Sequence, residues 1–569
     1  MSTQALTNTA PSFANTAKTQ LSRWVLIGAA LAALVAIVLY PLLYLLKFSL
    51  TAEDGSFTLA TFAAVFSEPG MLQAALNSLL LVAIVVVVST FIGTLLAWLV
   101  ARTDVPFKGA ITTSAGISFV IPTFITVIAW IFLAAPNSGL LNKVLMEVLG
   151  LEQAPLNIIS FGGLALIEIV HLYPLTFFSV LAALKNVDVS HEQAARVLGA
   201  GRLRTVLTIT LPLVLPAILA SSILVMLDTL SSFGAPTVIG TMANFSVLTT
   251  KLYDLLTFPP RLNLAAAVAV PIVLYTLICL WVQRRLIQGD DYRSIGGKSS
   301  AEQLMQLTHW RLPAGALALL SIFITAVLPL SGLLLLSVIK VLGMPIEASN
   351  LGLNHYHSLI DESFGTLDAV YNSLWLSLLT ASVCVCLAVA CAWIVERTQL
   401  PGRASVTALI MVAYGFPSIA FGVGIMLGYL DLFYGTLSLL LIAYVAKQLP
   451  VAFVLVRTAL KQVSVDLEEA ARIVGATWLR AVWDITLPLL KVSLVIGWVM
   501  VFSLSIRELS MSVLLSQADT QVMSTVILQY IADGSIEVAA ALSALIVAIC
   551  LAVMGVVYLL SRHNAHTQP

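Results

Sequence analysis

Charge is scarce in this chain: 10% of its 569 residues are Asp, Glu, Lys or Arg, with 28 of each sign and a net charge of zero. That balance argues against nucleic acid as a partner, because nucleic-acid binding shows as a clustered basic excess. Cysteine is also sparse. Cys279, Cys384, Cys386, Cys391 and Cys550 all lie in apolar runs, where they behave as small hydrophobes. Neither a disulfide framework nor a zinc knuckle is indicated. A cleavable leader is not evident either, since the first apolar run, 24–46, is too long for a signal h-region. What the chain has in abundance is apolar surface, at 60% of residues, more than a soluble core absorbs.

Runs near the roughly 20 apolar residues that cross a bilayer fall at 24–46, 76–100, 113–133, 161–184, 207–230 and 262–282. A second set falls at 314–339, 370–394, 406–427, 436–456, 485–504 and 538–560. The reading is an all-α polytopic membrane protein of about twelve transmembrane helices. Arg102, Lys108, Lys185, Arg196, Arg202, Arg204, Arg284, Arg285, Arg293, Arg397, Arg403, Lys461, Arg472 and Arg480 occupy one set of alternate loops. Positive residues are retained on the cytoplasmic side, which makes both termini cytoplasmic. The expected organisation is a disordered cytoplasmic tail at 1–20, a first half at 21–283, a linker at 284–311, a second half at 312–562 and a tail at 563–569.

The two sets of six are copies. Asn77-Ser78, Ala97-Trp98, Arg102-Thr103, Pro106 and Pro122 match Asn372-Ser373, Ala392-Trp393, Arg397-Thr398, Pro401 and Pro417 at one offset. A polar segment between the fourth and fifth spans repeats at a smaller offset. Its first copy reads Glu192-Gln193-Ala194-Ala195 and Gly199-Ala200, closing on Ile209-Thr210-Leu211-Pro212. The second reads Glu468-Glu469-Ala470-Ala471 and Gly475-Ala476, closing on Ile485-Thr486-Leu487-Pro488. The change of offset places an insertion in the first half, within 136–159. An even number of spans precedes each copy, so the halves run parallel about an axis along the membrane normal, with the substrate path expected between them.

The duplicated segment resembles the Glu-Ala-Ala, Gly, Leu-Pro signature of inner-membrane permeases of binding-protein-dependent ABC importers of type I. The resemblance implies two short helices joined at the glycine, seated in a groove of a separate ATPase. Glu192, Gln193, Ala194, Ala195, Gly199, Glu468, Glu469, Ala470, Ala471 and Gly475 are the implied docking residues. Gln193 stands where the family has Glu, and Glu192 is expected to supply that charge. The resemblance further implies two copies of a nucleotide-binding subunit, a periplasmic binding protein, a bacterial inner-membrane location and no catalysis by this chain. ATP is then used by the partner, with no cofactor or metal bound here.

Other features weigh less. Gly296-Gly297-Lys298-Ser299 lacks the earlier glycine, strand and helix of a phosphate-binding loop. Glu168 and His171 share a face of the fourth span, but two potential ligands make a weak metal site, and helix packing is the better reading. Asp228, Arg507 and Glu508 near the fifth and eleventh spans, with Pro122 and Pro417, are translocation-path candidates. An internal ion pair at Arg507-Glu508 is favoured over a gate, since charges within membranes usually pair. Pro155-Leu156-Asn157, His171-Leu172-Tyr173-Pro174 and Arg507-Glu508-Leu509-Ser510 look most like the fused ferric-iron permeases, with 2-aminoethylphosphonate and thiamine permeases as alternatives. An ion-coupled secondary transporter is the contrasting class. It accounts for twelve spans and internal repeats but leaves the duplicated loops unexplained.

Overall fold

The computed structural model describes residues 13–52, 54–187, 190–257, 259–288, 304–360, 365–399 and 401–565. Ten of its helices are long and apolar enough to cross a membrane: Trp24–Ser49, Met71–Arg102, Phe161–Asn186, Val206–Ser231, Leu262–Gln283, Thr308–Val338, Thr366–Arg397, Leu437–Gln462, Trp478–Ser505 and Ile536–Val556. The remaining two spans, the third and ninth, are each broken. Lys108–Val120 meets Thr123–Ala134 at 106°, and Arg403–Gly415 meets Ser418–Phe433 at 113°. The apolar runs at 113–133 and 406–427 each fall on one of these bent pairs.

Proline supplies the local cause of both breaks. The residue before a proline is pushed out of the helical region, and Ile121 (ψ 124°) and Phe416 (ψ 131°) are extended just ahead of Pro122 and Pro417. Four other prolines are accommodated without a break. Pro41, Pro212, Pro329 and Pro488 each stand second in an α-helix that directly follows a five-residue π turn: Val35–Leu39, Val206–Thr210, Phe323–Val327 and Val482–Thr486. A proline removes one helical hydrogen bond and crowds the carbonyl four residues back. The wider π turn relieves that crowding.

The halves interlock. Within the first, the second, fourth and fifth spans pack on one another, as the eighth, tenth and eleventh do in the second. The opening span of each half crosses to the other: Tyr40–Ser49 lies on Ser418–Phe433, and Leu328–Val338 lies on Thr123–Ala134. Small residues let backbones approach at such contacts. A Cβ on Gly424 would stand 2.9 Å from the Pro41 carbonyl oxygen, and one on Gly332 would stand 3.0 Å from Leu133 carbons. The insertion in the first half forms a helix, Leu140–Leu149. Buried Asn142 ties it down, donating to the Ala135 and Leu156 carbonyls and accepting from Leu156 N, all at 2.9 Å.

The first helix begins at Phe13 and the last continues to Ala565. The helix of the sixth span continues beyond Gln283 to Gln288. The glycine-rich segment 296–299 lies outside the described residues, as do 1–12 and 566–569. Beyond it the linker is fastened: Met305 N donates to Arg102 O (2.9 Å), Asp104 N donates to Met305 O (3.1 Å), and Leu307 N donates to Asp104 Oδ1 (2.8 Å).

Candidate functional site

The broken spans open a cavity of about 210 Å³ between the halves. The first half contributes Phe119, Pro122, Glu168, His171 and Asp228, and the second contributes Ser418, Gln448, Arg507 and Glu508. Four of the five path candidates therefore meet in one place. Pro417 does not line the cavity, although Ser418 beside it does. Asp228, on the fifth span, is exposed and lines the cavity.

Arg507 departs from the expected ion pair. Its Nη1 donates to the carbonyls of Phe119 (2.8 Å) and Val120 (2.6 Å), and its guanidinium stands over the Phe119 ring at 5.7 Å. A helix end leaves its last carbonyls without internal partners, and inside a membrane protein those must be satisfied by other groups. Arg507 of the second half thus caps the broken helix of the first. Glu508 is engaged elsewhere. Its Oε1 accepts from Met511 N (3.2 Å), while its carbonyl accepts from Ser512 Oγ (2.6 Å) and Ser524 Oγ (2.7 Å). At the matching break in the second half, Lys447 Nζ donates to Phe416 O at 2.5 Å.

Glu168 and His171, set aside on sequence grounds, belong to the cavity. Glu168 accepts from Ser232 Oγ at 2.5 Å, and the His171 ring stacks on Phe119 with Nδ1 3.3 Å from Ser118 O. Their signal was the cost of a carboxylate and an imidazole within a span. Among the described residues no group of three or more His, Cys, Asp or Glu is placed to hold a metal ion. A second cavity, of about 660 Å³, lies at the end away from the duplicated loops and is lined by Gln73, Asn77, Thr237, Tyr253 and Asp254 among others.

Each duplicated loop is a helix, a glycine turn and a shorter helix. Ser190–Val197 precedes Arg202–Thr205, and Val465–Ile473 precedes Trp478–Ala481. The turns need glycine because Gly199 (φ +85°) and Gly475 (φ +95°) adopt a left-handed backbone that side chains disfavour. Beside them Val197, Leu198, Ile473 and Val474 are each at least 85% exposed, so two apolar tips project from the same end of the molecule. Ala194, Glu469 and Ala470 are exposed too, and Ala195 and Ala471 half-buried, leaving room for a partner to approach closely. The side chain of Gln193 lies outside the described residues.

Glu192 does not replace the missing charge on that surface. It is 7% exposed and turned inward, as is its counterpart Glu468. Glu192 Oε1 stands 3.3 Å from Arg102 Nε and accepts from Thr210 Oγ1 at 2.9 Å. Glu468 Oε1 stands 3.2 Å from Arg397 Nε and accepts from Thr486 Oγ1 at 2.8 Å. Neither sequence copy signals this, because the arginine lies some 70 to 90 positions away.

Two parallel six-span halves around a charged cavity, each carrying an exposed helix-glycine-helix loop, define a membrane-transport permease in fused form. The family model for the binding-protein-dependent transport system inner membrane component matches residues 89–289 and again 385–566, and the chain belongs to that family. The ferric transport system permease protein FbpB of Actinobacillus pleuropneumoniae is 25% identical over 93% of this chain and 77% of its own length. The putative 2-aminoethylphosphonate transport system permease protein PhnU of Salmonella typhi is 30% identical over 38% of this chain and 74% of its own. The molybdenum transport system permease protein ModB of Escherichia coli K12 is 35% identical over 29% and 69%. The expectation of an ABC importer permease with two fused halves is met. Family membership leaves the secondary-transporter reading without support.

Proposed function

We propose that this chain forms the translocation pathway of a ferric-iron importer, fed by a periplasmic binding protein and driven by two copies of a separate ATPase. The observation that carries the ATPase partnership is the pair of exposed loops, each with an apolar tip at a glycine turn, presented at one end of the molecule. Glu469, Ala470, Ala471 and Gly475 seat in one ATPase, and Gln193, Ala194, Ala195 and Gly199 in the other. That end is cytoplasmic, in keeping with its arginines, and so are both termini. The chain binds no cofactor, and ATP is hydrolysed by the partner.

Ferric iron is preferred because the ferric relative aligns over nearly the whole fused chain, whereas the phosphonate and molybdenum relatives align over 38% and 29% of it. Closure of the ATPases moves both loops, and the halves rock about the cavity as alternating access requires. Asp228, Glu168 and Arg507 line the route, and selection of the cargo rests with the binding protein. Uptake into proteoliposomes holding this chain, its ATPase and its binding protein, with ferric iron, 2-aminoethylphosphonate and thiamine compared, tests the reading. ATP-dependent accumulation of ferric iron alone is expected. Uptake of one of the others, or uptake without ATP, overturns it.

A further inference from the structure

Each half contains a buried node at which one carboxylate and its arginine join the loop to three spans. In the second half Arg397, at the end of the eighth span, contacts Glu468 of the loop and donates through Nη2 to Leu460 O (3.0 Å) and Val463 O (2.6 Å) at the end of the tenth. Thr486, which holds the same carboxylate oxygen, closes the π turn at the base of the eleventh span. In the first half Arg102 contacts Glu192 and donates to Val187 O at 3.0 Å, and Thr210 again closes the π turn below a Leu-Pro pair. Both arginine side chains are 6% exposed and both glutamates 10%. The node recurs although its arginine and its Glu-Thr pair follow different offsets between the halves, so the fold reassembles it across the insertion.

We infer that Glu192 and Glu468 are positioning residues that turn each docking loop into a rigid lever on the second, fourth and fifth spans of its half, and on their second-half counterparts. The inference rests on the docking role of the loops. A loop held only by its two chain connections would bend when the ATPase pulls on it. A desolvated carboxylate shared by an arginine and a threonine resists this, because separating the pair strands a charge away from water. The shared carboxylate pulls on two spans directly and, through its arginine, on a third. Glu469, one position on, is exposed and has the separate task of meeting the partner.

The test compares Glu192→Gln with Glu468→Gln, singly and together, in the complex reconstituted with ATPase and binding protein. Three quantities are read: ATPase co-purification, ATP hydrolysis, and cargo moved per ATP. For the double variant we expect retained co-purification and a ratio of cargo to ATP reduced about fivefold or more, the range of a typical inter-site coupling. Each single variant should show a smaller reduction. Joining Arg397→Glu with Glu468→Arg should recover part of the loss caused by either alone. If the Gln variants do not fold, Thr210→Val with Thr486→Val removes one hydrogen bond per node without touching a charge, and the ratio should fall about twofold. An unchanged ratio in either pair overturns the lever. Two ATPase copies retained with full transport after Glu469→Ala with Gly475→Val would instead overturn the docking reading itself, so the two failures are distinguishable.

Discussion

In the first half the broken span is capped from across the interface by Arg507, whereas in the second half Lys447 of the same half caps the matching break. At the loops the halves agree instead: Arg102, Glu192 and Thr210 are repeated as Arg397, Glu468 and Thr486, each carboxylate again facing an arginine Nε and accepting from a threonine hydroxyl. The duplicated copies have thus diverged around the cavity and stayed alike at the loop base. In the proposed function a single cargo crosses one asymmetric cavity while two loops take the same load, and the residues follow that division. Smaller asymmetries flank the nodes. The linker is fastened beside Arg102 through Met305, and Trp393 packs on Trp478, with ring centroids 4.8 Å apart, beside the second.

The largest effect should come from the caps. Arg507→Met leaves the Phe119 and Val120 carbonyls unpaired, and with hydrogen bonds to charged groups contributing about 1.5–3 kcal/mol each, thermal unfolding of the purified permease should fall sharply and uptake should be lost. Lys447→Met removes one such bond and should cost about half as much. Equal losses would erase the contrast between the breaks. Next come the crossing contacts. Gly424→Ala drives a Cβ toward the Pro41 backbone carbonyl, an overpacking that costs about 1–3 kcal/mol. Gly332→Ala meets only Leu133 side-chain carbons, which can turn, and it gains up to about 1 kcal/mol of helix propensity, so its unfolding temperature should barely change.

Among the docking residues the loops differ at one position, Gln193 against Glu469. Charge-assisted hydrogen bonds are roughly twice as strong as neutral ones, so Glu469→Ala should weaken ATPase binding about tenfold and Gln193→Ala about threefold, read as dissociation constants. Smallest is an outer ion pair confined to the first half. Arg261 grips Glu68 through two hydrogen bonds of 2.8 and 2.6 Å and holds its carboxyl below the usual range. Glu537 occupies the matching position of the second half and accepts from Leu342 N instead. Because the folded value is lowered, the pair's stabilisation is present above the unfolded value of about 4.3 and is lost as pH falls through the folded one. Its exposure limits it to a few tenths of a kcal/mol. The gap in unfolding temperature between the parent and Arg261→Gln should be small at neutral pH and close as pH falls through the lowered folded value.

Much of this was legible in the residues. Apolar runs located the spans, Pro122 and Pro417 marked the places where two of them break, and the change of offset located the Leu140–Leu149 insertion. The angle of each break was not legible, because it depends on which helices of the opposite half fill the corner. Arg507 was misjudged for a related reason. A backbone carbonyl has no identity in the sequence, so a cation beside Glu508 looked like half of an ion pair. Glu192 looked like a surface charge because its partner, Arg102, sits at the far end of another span. The Glu168 and His171 pair carried a correct warning in its cost, but its neighbours in the cavity come from five separate segments.

The most direct check of the central claim is the mass of the intact complex between this permease and its ATPase, measured in native detergent micelles for the parent chain and for variants of each loop tip. The account predicts two ATPase copies on the parent, one after Gly199→Val or Gly475→Val, and none after both. Two copies retained on the double variant, or no ATPase on the parent at saturating concentration, would contradict it.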